Sequence, residues 1–156
     1  MPVEVYNNQN VELVSEQLLG KFGIAVAEAL PLVLKNKIIS RGILSADLDI
    51  EISIVDDAII SQVHEEFMDI PGATDVITFS HGDGLDSCID SIGEIVISAE
   101  TARRYGADHG NSFETELMLY IIHGLLHLAG HEDNDPVERE AMEIIQFKIL
   151  ERVWTG

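Results

Sequence analysis

The chain is short of cysteine, of positive charge and of long uncharged apolar runs, and each shortage narrows what it can be. One cysteine in 156 residues, Cys88, closes no internal disulfide and offers no thiolate cluster to a metal. Any metal is therefore held by nitrogen and oxygen, and a reducing cytoplasm is the compartment that fits. Only 9 Lys and Arg stand against 28 Asp and Glu, a formal net charge of -19. That balance repels phosphate backbones, so an RNA partner would need a local basic patch or a metal to overcome the mean field. The same acidity keeps a protein soluble in a saline or crowded setting. No segment is read as approaching the roughly 18 uncharged apolar residues of a membrane span. "MPVEVYNNQN" has neither the basic start nor the apolar stretch of a signal peptide. The expectation is a soluble, cytoplasmic protein with no membrane partner.

What is present is enough apolar material, 46% of the residues, for one sizeable core, and the chain reads as a single domain over 1–156 without internal repeats. "VEVYN" alternates as a short strand, and from Ser15 the apolar residues Leu18, Leu19, Phe22, Val26, Ala29, Leu30 and Val33 recur at helical spacing. Pro31 is expected to kink that helix or end it early. "LDIEISIV" puts Leu48, Ile50, Ile52 and Ile54 on one face and Asp49, Glu51 and Ser53 on the other, the period of a half-buried strand. Asp56 caps a helix through about Phe67. "TDVITF" and "GEIVIS" supply two more strands, and the turn-rich "SHGDGLDSCIDS" between them reads as one loop. The remainder is helical. The order β-α-β-α-β-β-α-α-α implies at least one parallel pair and an α+β fold: a small mixed sheet of about four strands packed with helices.

From Ser112 to Leu128 apolar side chains fill most of a helix circumference, so this helix is central. His123 and His127 interrupt it four residues apart, on one face, where two imidazoles can converge on a single ion. Gly130 then offers a left-handed stop. After such a turn Asp133 can face the same ion, completing a HxxxHxxGxxD pattern whose spacing is that of zinc proteases with a third ligand beyond a glycine turn. Two neutral imidazoles and a carboxylate suit zinc and leave a coordination position open. His131 is a rival third ligand, since a continued helix would align residues 123, 127 and 131, but Gly130 favours Asp133. In the HExxH proteases a glutamate base follows the first histidine; here that position is Gly124. Glu132 is the nearest other acid and reads as a solvated loop residue. A peptidase is therefore disfavoured.

"HGLLHLAGHED" resembles the HGxLHLxGYDH motif of the YbeY family of bacterial rRNA-maturation endoribonucleases. "TDVITFS" resembles that family's TDVLSF strand, "IGEIVIS" its LGDIVIS strand, and "VEVYNNQ" its first strand, in the same order along the chain. The resemblance implies one Zn2+ ion at the mouth of a cleft, with His123 and His127 carried over directly and Asp133 at the position where the family commonly has a histidine. It implies a zinc-dependent endoribonuclease acting in 16S rRNA 3'-end maturation and ribosome quality control, with rRNA, the small ribosomal subunit and ribosome-assembly proteins as partners.

One departure bears on activity. Many members carry an arginine six residues before the TDV threonine, and counting back from Thr74 gives Met68. Losing a cation there weakens stabilisation of charge on a phosphoryl oxygen. Arg103 and Arg104 are substitutes by position, although they also read as helix-surface charges. The alternative reading is a non-catalytic ribosome-assembly factor with a structural zinc. Asp75, an acid within an apolar strand segment, reads as structural, accepting backbone bonds that pin the loop from Asp69 to Ala73.

Overall fold

Alternation builds the centre of the sheet. In the computed structural model, which describes residues 3–45, 47–81 and 92–155, β2 (Asp49–Val55) buries Ile50, Ile52 and Ile54 and leaves Asp49, Glu51 and Ser53 at intermediate exposure. β1 (Val3–Asn7) pairs parallel with β2, and β4 (Ile92–Ser98) pairs parallel with its other edge. β3 (Val76–His81) runs antiparallel along β4, so the mixed four-stranded sheet has the order β1-β2-β4-β3. Ser80 and His81 therefore end a strand; the rest of the expected loop, 82–91, and Cys88 with it, lie outside the described residues.

The two faces of the sheet are unequal. Ile50, Ile52 and Ile54 of β2 and Ile95 and Ile97 of β4 join the main core under α1 (Glu16–Lys35) and α4 (Phe113–Leu128). Val55, Val96 and Ile77 point the other way and meet Ile60 of α2 (Asp57–Met68). β4 is thus covered on both sides, which explains its near-continuous apolar run. Each fully buried isoleucine contributes on the order of 1.5–3 kcal/mol. α3 (Ala99–His109) follows β4 directly, and α5 (Pro136–Val153) packs on α1 and α4. The architecture is α+β, with the element order expected.

One expectation is corrected and one is qualified. Pro31 does not end α1, which continues to Lys35. Proline deletes one helical hydrogen bond, but Val26, Ala29, Leu30 and Val33 around it are all buried in the main core, and this packing outweighs the loss. α1 is also long and apolar enough, by length and composition, to cross a membrane, with a mean hydropathy of 1.5. Its apolar stripe, Phe22 through Val33, is the side that packs on the core.

α4 is the central helix. Ser112 caps its start by accepting the Thr115 N–H, and its buried residues point in every direction. Its last carbonyls are taken by the segment after α1: Ile38 N–H donates to Ala129, and the Ile43 and Leu44 N–H groups donate to Leu128. Gly130 follows with φ 99°, and a Cβ there would stand 2.8 Å from the Gly42 nitrogen. Only glycine reverses the chain at this place.

Candidate metal centre

Helical spacing and that reversal assemble the site. His123 and His127, one turn apart on α4, bring their Nε2 atoms to 3.0 Å of each other with rings nearly perpendicular, at 82°. Beyond Gly130 the chain turns back, and Asp133 Oδ2 lies 3.3 Å from His123 Nε2 and 3.8 Å from His127 Nε2. One ligand atom from each of the three residues lies within 4.8 Å of the other two. The structure thus brings together the three side chains named from the sequence.

Their outer hydrogen bonds fix which nitrogens are free. His127 Nδ1 donates to the His131 carbonyl at 3.0 Å, and His123 Nδ1 donates to Gln146 Oε1 at 2.9 Å. With protons held on both Nδ1 atoms, both Nε2 lone pairs are bare and aim at one region shared with a carboxylate. Burial, and then the neighbouring His123, hold the His127 pKa below the ordinary imidazole value, against the opposing pull of Asp133. Two lone pairs and a carboxylate oxygen converging on one point repel unless a cation lies between them. The donor set fits a divalent ion, and two imidazoles with one carboxylate suit zinc.

The rival ligand is accounted for. His131 Nε2 donates to the Asn36 carbonyl at 2.6 Å, on the segment that covers the end of α4, and so is turned away from the other donors. Glu132 is exposed, and among the described residues its hydrogen bond is with Asn134.

A cavity of about 770 Å³ opens beside His123 and Asp133. Asp75 lines it and accepts a backbone bond as expected, from the Val76 N–H at 2.8 Å, while the loop from Asp69 is tied instead by His64 Nδ1 to the Gly72 carbonyl. Arg104 reaches the cavity while held by Asp57 at 2.7 Å. Arg103 is paired with Glu12 and lies over the Phe113 ring. Met68, half-exposed at the end of α2, is not among the lining residues.

Sequence reasoning missed four residues here. Gln146 and Arg139 come from α5 and are unmarked by any motif. Glu116 is 1% exposed, with His109 Nδ1 donating to one carboxylate oxygen at 3.1 Å and Asn111 Nδ2 to the other at 2.9 Å. An acid inside an apolar helical run was the available signal. Tyr120 lies one turn further along α4, and its hydroxyl is buried. Burial, then the nearby Glu116 and Asp75 charges, push its pKa well above the ordinary tyrosine value.

The fold and the site together define an α+β domain that carries a metal-capable histidine, histidine and carboxylate set beside a cavity. Residues 7–154 match the family described as endoribonuclease YbeY, and the chain belongs to that family. A relative in Desulforamulus reducens, named endoribonuclease YbeY, is 34% identical over 158 residues, covering 98% of this chain and 97% of its own. One in Micrococcus luteus, of the same name, is 30% identical over 142 residues, covering 88% and 90%. These relatives are thus named as hydrolases acting on RNA. The solution structure of a Thermotoga maritima protein superimposes with a TM-score of 0.58 at 25% identity, covering 97% of this chain and 89% of that one.

Proposed function

We propose that this chain is a zinc-dependent endoribonuclease of the cytoplasm that matures rRNA, at the 3' end of 16S rRNA, and serves ribosome quality control. Its partners in this reading are rRNA, the small ribosomal subunit and ribosome-assembly proteins. The observation that carries the reading is the convergence of His123 Nε2, His127 Nε2 and Asp133 Oδ2 beside a cavity that His123 and Asp133 line, in a chain of the endoribonuclease YbeY family.

His123, His127 and Asp133 would hold the ion. When bound, the ion supplies Lewis acidity toward a phosphoryl oxygen and acidifies water. The chain does the rest. Gln146 and the His131 carbonyl keep both imidazoles in the tautomer whose Nε2 is free, so no proton has to leave before the donors act. Arg139 stands on the same cavity wall as His123 and Asp133 and forms no salt bridge among the described residues. Its guanidinium meets the phosphodiester there, which offsets locally the repulsion of a chain with net charge -19.

Zinc-loaded protein offered a structured rRNA fragment tests the reading. Cleavage that chelator and His127→Ala both abolish supports it; intact RNA under saturating zinc removes it. The second reading, a non-catalytic ribosome-assembly factor with a structural zinc, draws support from the acidic charge and from Met68 in the place of an arginine. Tight binding to small-subunit components that survives chelation, without cleavage, favours that reading.

A further inference from the structure

Further along the cavity wall from His123 on α4 lie groups that the three donors do not use. The Tyr120 hydroxyl is buried on a residue only 5% exposed, and beyond a weak interaction with the nearby Glu116 carboxylate it has no hydrogen-bond partner among the described residues. A hydroxyl withdrawn from water without a partner is costly and rare, and it persists where something outside the fold completes it. Glu116, Tyr120 and His123 follow one another at successive turns of α4, so the hydroxyl lies along the same wall as the metal donors. Near it the wall carries Glu116, fixed by His109 and Asn111, and the half-exposed Tyr105 ring, and the half-exposed Phe147 ring lines the same cavity. The Tyr105 ring is itself stacked on His109, with ring planes 14° apart.

The chemistry of this stretch of wall selects its ligand. The Glu116 and Asp75 carboxylates repel phosphate, so the group that enters is uncharged. Flat aromatic rings lining the cavity offer stacking to a planar ring system, which every nucleobase provides. A buried O–H donor needs an acceptor, and each base carries ring nitrogens or carbonyl oxygens on its edge. A volume of about 770 Å³ lies within the ordinary range of small-ligand clefts and holds one nucleotide.

We propose that this stretch of the cavity is a subsite for one nucleobase, which accepts a hydrogen bond from Tyr120 and stacks on Tyr105 or Phe147 while its sugar-phosphate leads toward His123 and Asp133. The proposal deepens the endoribonuclease reading and rests on it for biological meaning, but binding of a base requires neither the ion nor cleavage.

That independence sets the experiment. Metal-free protein in EDTA is titrated with adenosine, guanosine, cytidine and uridine, and with ribose and inorganic phosphate as controls, while amide chemical shifts are recorded. At least one nucleoside should saturate at millimolar concentration, with shifts centred on Tyr105, Glu116, Tyr120 and Phe147, and both controls should leave these amides in place. Tyr120→Phe should weaken that nucleoside about three- to tenfold, the range of one net hydrogen bond. It should leave the melting temperature nearly unchanged, because the hydroxyl makes no well-formed hydrogen bond within the fold and loses only its weak interaction with Glu116. Nucleosides that leave the cavity amides unmoved overturn the proposal. Unchanged affinity in Tyr120→Phe, or a clear drop in its melting temperature, does the same. Failure of the nuclease reading shows separately, as intact rRNA beside preserved nucleoside binding, and that pattern supports the subsite.

Discussion

Gly124 of α4 lies flush against Ile95 of β4: a Cβ placed on Gly124 would stand 2.7 Å from Ile95 Cγ2 and 3.2 Å from two further carbons of that side chain. Here the metal-bearing helix is pressed directly onto β4. It gives a physical reason for the missing glutamate after the first histidine, since any side chain there would separate helix from strand. Gly124→Ala is expected to destabilise the fold by about 1–3 kcal/mol through overpacking. Gly124→Glu, which adds a buried charge, should prevent folding altogether. Urea denaturation measures both, and an alanine variant of unaltered stability would contradict the close packing.

Gln146 is the only tie between the His123 ring and α5 among the hydrogen bonds of the described residues, and it is 6% exposed. Removing the acceptor of a ligand's outer N–H typically costs 10–100-fold in metal affinity. Gln146→Leu keeps the buried volume while deleting that acceptor. Zinc competition against a chromophoric chelator should show a loss of about 10–100-fold, with the circular dichroism of the fold preserved. Equal affinity would mean that packing alone orients His123.

What could be read from the sequence was local in the chain. The alternation of β2, the apolar circumference of α4, the spacing of His123, His127 and Asp133, and the stop at Gly130 all lie within short windows, where period and turn chemistry dominate. The failures were non-local. Pro31 is overruled by core packing. His131 is not such a failure, since Gly130 already favoured Asp133 over it, but the carbonyl that holds it, on Asn36, is ninety-five positions away in the chain. Gln146 and Arg139 reach the site because α5 folds back on α4, which no pattern within α5 announces. Tyr120 was hidden by its own residue type, since a tyrosine in an apolar run is read as core.

A carboxylate at the start of α2 links pH to stability. Burial works to raise the Asp57 pKa, but hydrogen bonds from Ser98, Arg104 and Thr101, together with the Arg104 charge, outweigh it and hold the carboxyl below the usual range. These donors lie at 2.6, 2.7 and 2.8 Å and join α2 to the start of α3. Because the folded pKa is lowered, the stabilisation is complete above the unfolded value, about 3.9. It disappears as pH falls through the lower folded value. Asp57→Asn should cost about 1–3 kcal/mol at pH 7. The gap between variant and parent should close below about pH 4. Denaturation curves at pH 7, 5 and 3 decide, and a gap that persists undiminished at pH 3 assigns the loss to something other than the charge.

Arg139 carries the argument about charge. Arg103 is occupied by Glu12 and Arg104 by Asp57, and Met68 is outside the cavity wall, so none of the positions weighed from the sequence presents an unpaired cation to a phosphodiester. Arg139 does: it lines the cavity with His123 and Asp133 and forms no salt bridge among the described residues. A cation that contacts phosphate contributes to binding of every sequence alike and to its salt dependence, by about one unit of slope in log affinity against log salt. Arg139→Ala should therefore lower kcat/KM on an rRNA fragment by about tenfold at low salt and flatten the salt dependence by about one unit. Arg103→Ala and Met68→Ala should leave both unchanged, because one cation is engaged elsewhere and the methionine does not reach the cavity. A salt slope that stays the same in Arg139→Ala while kcat/KM falls would show that the residue acts through the fold of α5 instead of through its charge.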